Sequence, residues 1–176
     1  MRRPTAAVGS ALFFVLAPGV VVGLIPWLLT RWQAHESLPY YWGPVRVIGM
    51  ILLLAGLIVL VGAFARFVME GFGTPAPVAA PERLVVGGVY RYVRNPMYVA
   101  ILAAIVGQAL ILGRFGLLLY ATVLWLITAA FVRFYEEPTL TRRFGADYEA
   151  YRRAVPAWWP RLRPWDPGER GEPGAR

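Results

Sequence analysis

The feature that most constrains the fold is a long apolar interval between two polar motifs. From Val99 to Phe134 the chain has no acidic side chain, and Gly113-Arg114 interrupts the interval near its middle. Two membrane-crossing helices fit this interval, because one span needs about 20 apolar residues. A tight antiparallel pair returns both of its ends to the same side. The pattern therefore predicts a helical hairpin whose flanking motifs lie side by side at one membrane surface.

The rest of the chain extends this pattern to an all-α, polytopic membrane protein. Of its 176 residues, 58% are hydrophobic, more than a soluble domain of this size usually carries. Four membrane helices are predicted: Val8 to Leu29, Val45 to Phe67, Met97 to Leu112 and Phe115 to Tyr135. A further amphipathic helix is predicted over Thr139 to Ala154, where apolar side chains recur at helical spacing, and it should lie along the cytoplasmic interface.

Individual residues inside the predicted helices suggest how they pack. Pro18 should kink the first helix and free a carbonyl that a neighbouring helix must satisfy. Gly49, Gly56 and Gly62 should permit close approach of the second helix. Gln108, the main polar residue of the third helix, is expected to bond a neighbouring helix.

The distribution of arginine predicts the orientation. The sequence contains no lysine, and fifteen of its 18 basic residues fall on the side that holds both termini and both polar motifs. Only Arg31, Arg46 and Arg114 fall on the other side, where Trp27, Trp32 and Trp42 would form an aromatic belt. Because cytoplasmic flanks collect arginine, both termini should be cytoplasmic and the protein should lie in a cytoplasmic or inner membrane.

The domain organisation predicted from the sequence is simple. Residues 1–164 should form one membrane domain, with the motif core in residues 84–164. Residues 165–176 are rich in Gly, Pro and charge and are predicted to be a disordered tail. The stretch from Glu70 to Gly88 is predicted to be an irregular loop because of its Gly and Pro content.

Composition excludes several kinds of chemistry. Without cysteine there are no disulfides or thiolate nucleophiles, and without lysine there is no Schiff-base chemistry. The one histidine, His35, lies in a polar loop and is read as a surface residue, so no metal site is expected. Membrane anchoring explains the net charge of +8 better than nucleic-acid binding does, and no nucleic acid is expected as a partner.

The two polar motifs supply the residues of the predicted site. The first contributes Tyr90, Arg91, Arg94, Asn95 and Tyr98, and the second contributes Glu136 and Glu137. Each residue also has a plain structural reading. The arginines could anchor the membrane helix, Asn95-Pro96 could begin it as N-cap and first residue, and the two glutamates could be a solvated helix end that Arg133 partly offsets. The joint pattern favours a polar ligand held beside lipid.

An ordered series of motifs resembles the isoprenylcysteine carboxyl methyltransferase and phospholipid methyltransferase-like membrane proteins. The resemblance covers about Leu84 to Pro164 and rests on Tyr90-Arg91-Tyr92-Val93-Arg94-Asn95-Pro96-Met97-Tyr98, Tyr135-Glu136-Glu137, Phe144-Gly145, Tyr148, Tyr151 and Val155-Pro156. Family members often have histidine where this chain has Asn95, so the resemblance does not imply a proton-transfer role at that position.

The resemblance implies S-adenosylmethionine as cofactor and a pocket between the third and fourth helices and the tail. It implies cofactor binding by Tyr90, Arg91, Arg94, Asn95, Tyr98, Glu136 and Glu137, and catalytic roles for Arg94, Glu136 and Glu137. The implied reaction is methyl transfer to a lipophilic acceptor, such as the carboxylate of a prenylated or other hydrophobic small molecule. The amphipathic helix predicted over Thr139 to Ala154 would act as a lid.

Other functions remain open at this point. A phospholipid or amine N-methyltransferase fits the same pattern. Membrane sterol reductases that bind a nicotinamide cofactor share a related C-terminal architecture but have more helices. A non-enzymatic membrane helper or scaffold would use the same motifs only to anchor helices. The sequence leaves the acceptor and the oligomeric state undetermined.

Overall fold

The computed structural model describes residues 16–36, 38–71 and 84–166. This part of the chain is helical and contains no strand. Its helices, numbered here in chain order, are α1 Leu16–Thr30, α2 Gly43–Gly71, α3 Pro96–Leu112, α4 Phe115–Phe144 and α5 Ala146–Ala154. Short 3-10 turns at Tyr40–Trp42 and Gly88–Arg91 precede α2 and α3.

Helix α1 is distorted, and a side chain of another helix bonds one of its carbonyls. Its middle is π-helical over Gly19–Leu24, and Ile25 N donates to Val20 O. Pro26 has no N–H for the carbonyl of Val22, four residues earlier, so that carbonyl is free inside the helix. Gln108 Nε2 donates to it at 2.8 Å. The prediction that Gln108 bonds a neighbouring helix is confirmed. The carbonyl that Pro18 would free is that of residue 14, which lies outside the described residues, so the prediction for Pro18 stays a prediction.

Helices α2 and α3 form the most extensive contact in the described structure. A Cβ at Gly49 would lie 2.7 Å from the Gly107 carbonyl oxygen, and one at Gly56 would lie 2.7 Å from the Ala100 carbonyl oxygen. These backbones therefore touch, which only glycine permits. The same prediction does not hold for Gly62 within residues 16–36, 38–71 and 84–166, because none of them lies within 4 Å of a Cβ built there.

Helices α3 and α4 form the predicted tight hairpin. Gly113 adopts a left-handed conformation with φ 63°, and Arg114 is the one further residue before α4 begins. Ile105, Ala109, Leu117 and Ala121 form a buried cluster between the two helices. At about 1.5 Å per residue, α3 is about 25 Å long.

Helix α4 is longer than predicted, and the single tail helix predicted over Thr139 to Ala154 is wrong. The helix continues beyond Tyr135 through a π-helical turn at Val132–Glu136, where Glu137 N donates to Val132 O. This turn lets the chain pass Pro138 without ending the helix. The break comes at Gly145, whose φ of 53° ends α4 and starts α5.

Length and apolar character allow two of the described helices to cross a membrane. They cover Gly43–Phe67 and Phe115–Phe144, with α1 and α3 as shorter apolar helices. Most of the predicted loop after Glu70 lies outside the described residues. Trp165, assigned to the tail by the sequence, is buried against Tyr148, Tyr151 and Val155, so the folded part reaches at least this residue.

Candidate functional site

A cavity of about 300 Å³ lies where α1, α2, α3 and α4 meet, at the end of the bundle where α3 begins. We call it the site cavity. Its wall is mostly apolar and aromatic, with side chains such as Phe64, Phe67 and Ile101. Five of the seven predicted site residues also line it, namely Tyr90, Arg94, Asn95, Tyr98 and Glu136. Five residues predicted for one site thus share one cavity, although they differ in what they contact.

Glu137 is the centre of a charge cluster next to the cavity. Its Oε1 accepts a hydrogen bond from Arg94 Nη1 at 2.7 Å, and its Oε2 lies 3.5 Å from Arg133 and 3.9 Å from Arg152. The Arg94 and Glu137 side chains are 11% and 9% exposed. A solvated helix end is thus the wrong reading of Glu137. The predicted contact with Arg133 is confirmed.

The Arg94 guanidinium is held on several sides. Its Nε donates to Val155 O at 2.9 Å, and its Nη1 also donates to the Tyr148 hydroxyl at 3.1 Å. Burial raises the pKa of the Tyr148 phenol, which keeps this group neutral. Arg94 thereby ties the residues before α3 to α4, to α5 and to the segment after α5.

Glu136 differs from its neighbour in one decisive respect. Its Oε2 atom is buried and has no hydrogen-bond partner among the described residues, and the residue lines the site cavity. Consecutive helix residues point about 100° apart, so Glu136 lines the cavity while Glu137 pairs with Arg94. A buried carboxylate oxygen without a donor is unusual in a folded protein and marks a place where a ligand could donate.

The contacts of Asn95 contradict the prediction that its side chain caps helix α3. It occupies the N-cap position of α3 and Pro96 the first helical position, but no side-chain capping hydrogen bond forms. Its Nδ2 instead donates to Ala157 O at 3.2 Å. Helix capping therefore does not account for the asparagine; contact with the chain after α5 does.

That chain segment, residues 155–166, crosses the residues before α3 and is called the strap. Arg94 N donates to Pro156 O at 2.9 Å, Asn95 N donates to Ala157 O at 3.3 Å, and Trp165 N donates to Arg91 O at 3.0 Å. The strap also brings Trp158 to Tyr98 and Trp125, with ring centroids 6.3 Å apart in each pair. It covers one flank of the site.

Arg91 lies outside the site cavity. Its Nε donates to Trp165 O, and its Nη2 lies 3.6 Å from Asp166. Tyr90 does line the cavity, and its backbone carbonyl accepts from the Tyr151 hydroxyl at 2.7 Å. Sequence reasoning did not identify Arg152, Trp158 or Trp165 as neighbours of the site. Nothing in their local sequence distinguishes them from other Arg and Trp residues.

Comparison with known proteins gives a consistent picture. The sequence model of the phospholipid methyltransferase family matches residues 44–147, more than half of the chain. The chain is 40% identical over 78 residues to protein-S-isoprenylcysteine O-methyltransferase of Schizosaccharomyces pombe, which covers 44% of this chain and 33% of that protein.

Two phosphatidylethanolamine N-methyltransferases are also similar. The Botryotinia fuckeliana enzyme is 26% identical over 156 residues, covering 78% of this chain and 15% of that protein. The Aspergillus terreus enzyme is 29% identical over 125 residues, covering 65% and 12%. The match thus spans a third or less of each of these relatives. No solved structure matches the chain. The family match shows that this chain belongs to the phospholipid methyltransferase family.

Proposed function

We propose that the chain is an integral-membrane, S-adenosylmethionine-dependent methyltransferase that acts on a lipophilic acceptor. The observation that carries the proposal is the buried Oε2 of Glu136, which has no hydrogen-bond partner in the described part of the chain and lies in the wall of a mostly apolar cavity. Desolvation of this carboxylate costs free energy in the free protein, and a ligand that donates an N–H or O–H would offset that cost.

The residues of the cavity fit the cofactor. The amino group and ribose hydroxyls of S-adenosylmethionine are donors, and Glu136 offers the acceptor. Tyr90, Tyr98, Phe64 and Phe67 offer rings and apolar surface for a purine. When bound, the cofactor supplies an electrophilic methyl group whose leaving group is a neutral thioether.

The remaining work of the protein is to orient the reactants and to exclude water. Glu136 would hold the donor end of the cofactor. Arg94 and Glu137, which the sequence assigned to catalysis, are proposed as positioning residues, because they bind each other and Arg94 also binds the strap at Val155 O. Arg91 and Asn95, both predicted to bind the cofactor, are likewise proposed to hold the strap over the site.

Two acceptor classes fit the proposal. The similarity to an isoprenylcysteine O-methyltransferase supports a carboxylate, which needs no base. The similarity to phosphatidylethanolamine N-methyltransferases supports an amine. An amine must lose its proton before attack, and Glu136 is the nearest group that could accept it.

The proposed membrane arrangement places all four apolar helices, α1 to α4, across the bilayer, with both termini and the site cavity on the cytoplasmic side. Residues 1–164 are proposed as one membrane domain. Because the chain has no cysteine, single cysteines can report its orientation. A membrane-impermeant maleimide applied to intact spheroplasts should label Ala34→Cys, at the opposite end of the bundle, and spare Ala146→Cys. Labelling of Ala146→Cys alone would contradict this orientation.

Cofactor binding tests the proposal. In calorimetry on detergent-purified protein, the wild type should bind S-adenosylmethionine, and Glu136→Gln should bind roughly tenfold to a hundredfold more weakly. Glu149→Gln removes an exposed glutamate of α5 and serves as the matched control. A folded wild type that binds no S-adenosylmethionine, or a Glu136→Gln variant that binds as tightly as the control, would contradict the proposal.

A further inference from the structure

A second cavity, of about 530 Å³, lies between α1, α2 and the half of α3 farther from the site. We call it the α1–α2 cleft. Gly19, Gly23, Leu53, Leu57 and Ile111 line it. It shares two lining residues, Pro18 and Leu60, with the site cavity. The two cavities are therefore neighbours along the bundle and meet at this pair of residues.

The lining of the cleft does not favour a polar occupant. Its one amide side chain, Gln108, donates through Nε2 to Val22 O at 2.8 Å and accepts through Oε1 from Trp32 Nε1 at 3.3 Å. Both ends of the amide are thus satisfied by the protein. A polar headgroup would lose its hydration there without gaining a partner, whereas a hydrocarbon chain would not.

The glycines of α1 support the same reading. Gly49, Gly56 and Gly107 are explained by backbone contact, because a Cβ at each of them would lie 2.6–2.7 Å from a neighbouring carbonyl oxygen. Among the residues that the structure describes, nothing lies within 4 Å of a Cβ at Gly19 or Gly23, and both glycines line the cleft. Helix packing therefore does not explain these two glycines. The cleft does explain them, because a larger side chain at either position would enter its open volume.

We infer that the α1–α2 cleft holds the hydrocarbon chain of the methyl acceptor while the reacting end of that acceptor lies in the site cavity. This inference rests on the proposed function. The adjacency at Pro18 and Leu60 selects this occupant over a chain that belongs to the surrounding bilayer, since it joins the cleft to the site. The predicted consequence is selection for acceptors with a chain long enough to pass these residues.

Photo-crosslinking in phosphatidylglycerol nanodiscs tests the inference without requiring turnover. Three probes carry a diazirine at the chain end: phosphatidylethanolamine, farnesylcysteine and, as a bilayer-lipid control, phosphatidylcholine. We expect one of the first two to label Leu53, Leu57 or Ile111 at least fivefold more than the phosphatidylcholine probe does. Equal labelling by all three probes, or labelling concentrated on exposed α4 residues such as Leu119 and Leu126, would overturn the inference.

Variants sharpen the test. Gly23→Leu should reduce labelling in the cleft at least fivefold, and Leu57→Trp should do the same without altering α1. Gly62→Leu is the matched control, since Gly62 also has open space around it but does not line the cleft. Undiminished labelling in both Gly23→Leu and Leu57→Trp would overturn the inference. Calorimetric binding of S-adenosylmethionine, measured on the same samples, reports separately on the proposed function.

Discussion

Arg94 Nη1 and Glu137 Oε1 form a buried ion pair 2.7 Å apart that joins the residues before α3 to the end of α4. The second carboxylate oxygen of Glu137 faces Arg133 and Arg152, two arginines that are more exposed than Arg94. Surface pairs of that kind are worth little, whereas an uncompensated buried charge is costly. Removal of either Arg94 or Glu137 alone would therefore destabilise the fold, because the charge of the remaining partner would stay buried.

The first prediction concerns this pair. Arg94→Met or Glu137→Leu should each destabilise the protein by about 3–5 kcal/mol, because the remaining charge stays buried. The midpoint of thermal unfolding in detergent should fall by roughly 10 °C. The double variant should recover a large part of that loss. Single variants as stable as the wild type would show that the pair is not buried as described.

The second prediction concerns the strap. Trp165 is 7% exposed and packs with Tyr148, Tyr151 and Val155, whereas Trp159 is 81% exposed. Trp165→Ala should lower the free energy of unfolding by about 3–5 kcal/mol. It should also weaken binding of S-adenosylmethionine, because the strap loses the packing of this side chain. Trp159→Ala, the matched control, should change unfolding little. Limited proteolysis of residues 155–166 provides the measurement, and equal protection of both variants would contradict the role of Trp165.

How far the sequence predicts this structure depends on the range of the interactions involved. The apolar interval predicts the α3–α4 hairpin because its length and its Gly113-Arg114 break are local properties. The same interval brings Arg94 next to Glu137, as expected. The length of α4 was missed because Pro138 normally ends a helix, and here a π-helical turn absorbs it.

The parts that sequence reasoning missed depend on distant partners. Asn95 has the residue type of an N-cap, yet its side-chain amide donates a hydrogen bond to the carbonyl of Ala157, more than sixty residues later. Trp165 lies in a stretch with the composition of a disordered tail, yet aromatic neighbours bury it. Glu136 lines the site cavity whereas Glu137 pairs with Arg94, and this difference depends on the elements that pack around the end of α4.

The third prediction concerns the close contact between α2 and α3. Gly56→Ala would place a Cβ 2.7 Å from the Ala100 carbonyl oxygen, and overpacking of this kind costs about 1–3 kcal/mol. Gly62→Ala has open space, so it should be neutral or slightly stabilising through helix propensity. Thermal unfolding of both variants under the same conditions is the measurement. Equal midpoints for the two variants would contradict the packing described.

The fourth prediction concerns alkaline pH. Burial raises the pKa of Tyr148 and Tyr151 above the usual phenol value near 10. Folding therefore disfavours their charged forms, and their stabilising contribution is full below about pH 10 and declines as pH rises toward the folded-state pKa. Ultraviolet titration should show phenolate absorbance from these residues only at high pH. Tyr151→Phe should remove part of the signal, and an unchanged titration curve would contradict the assignment.

The most direct test of the central claim is methyl transfer itself. Wild-type protein in nanodiscs made from a total lipid extract would be incubated with S-adenosylmethionine that carries a trideuterated methyl group, and the lipids analysed by mass spectrometry. The account predicts a deuterated lipid-soluble product with the wild type and with Glu149→Gln, and a large loss of that product with Glu136→Gln. Folded wild-type protein that transfers no label to any lipid, or Glu136→Gln that transfers it at the wild-type rate, would contradict the account.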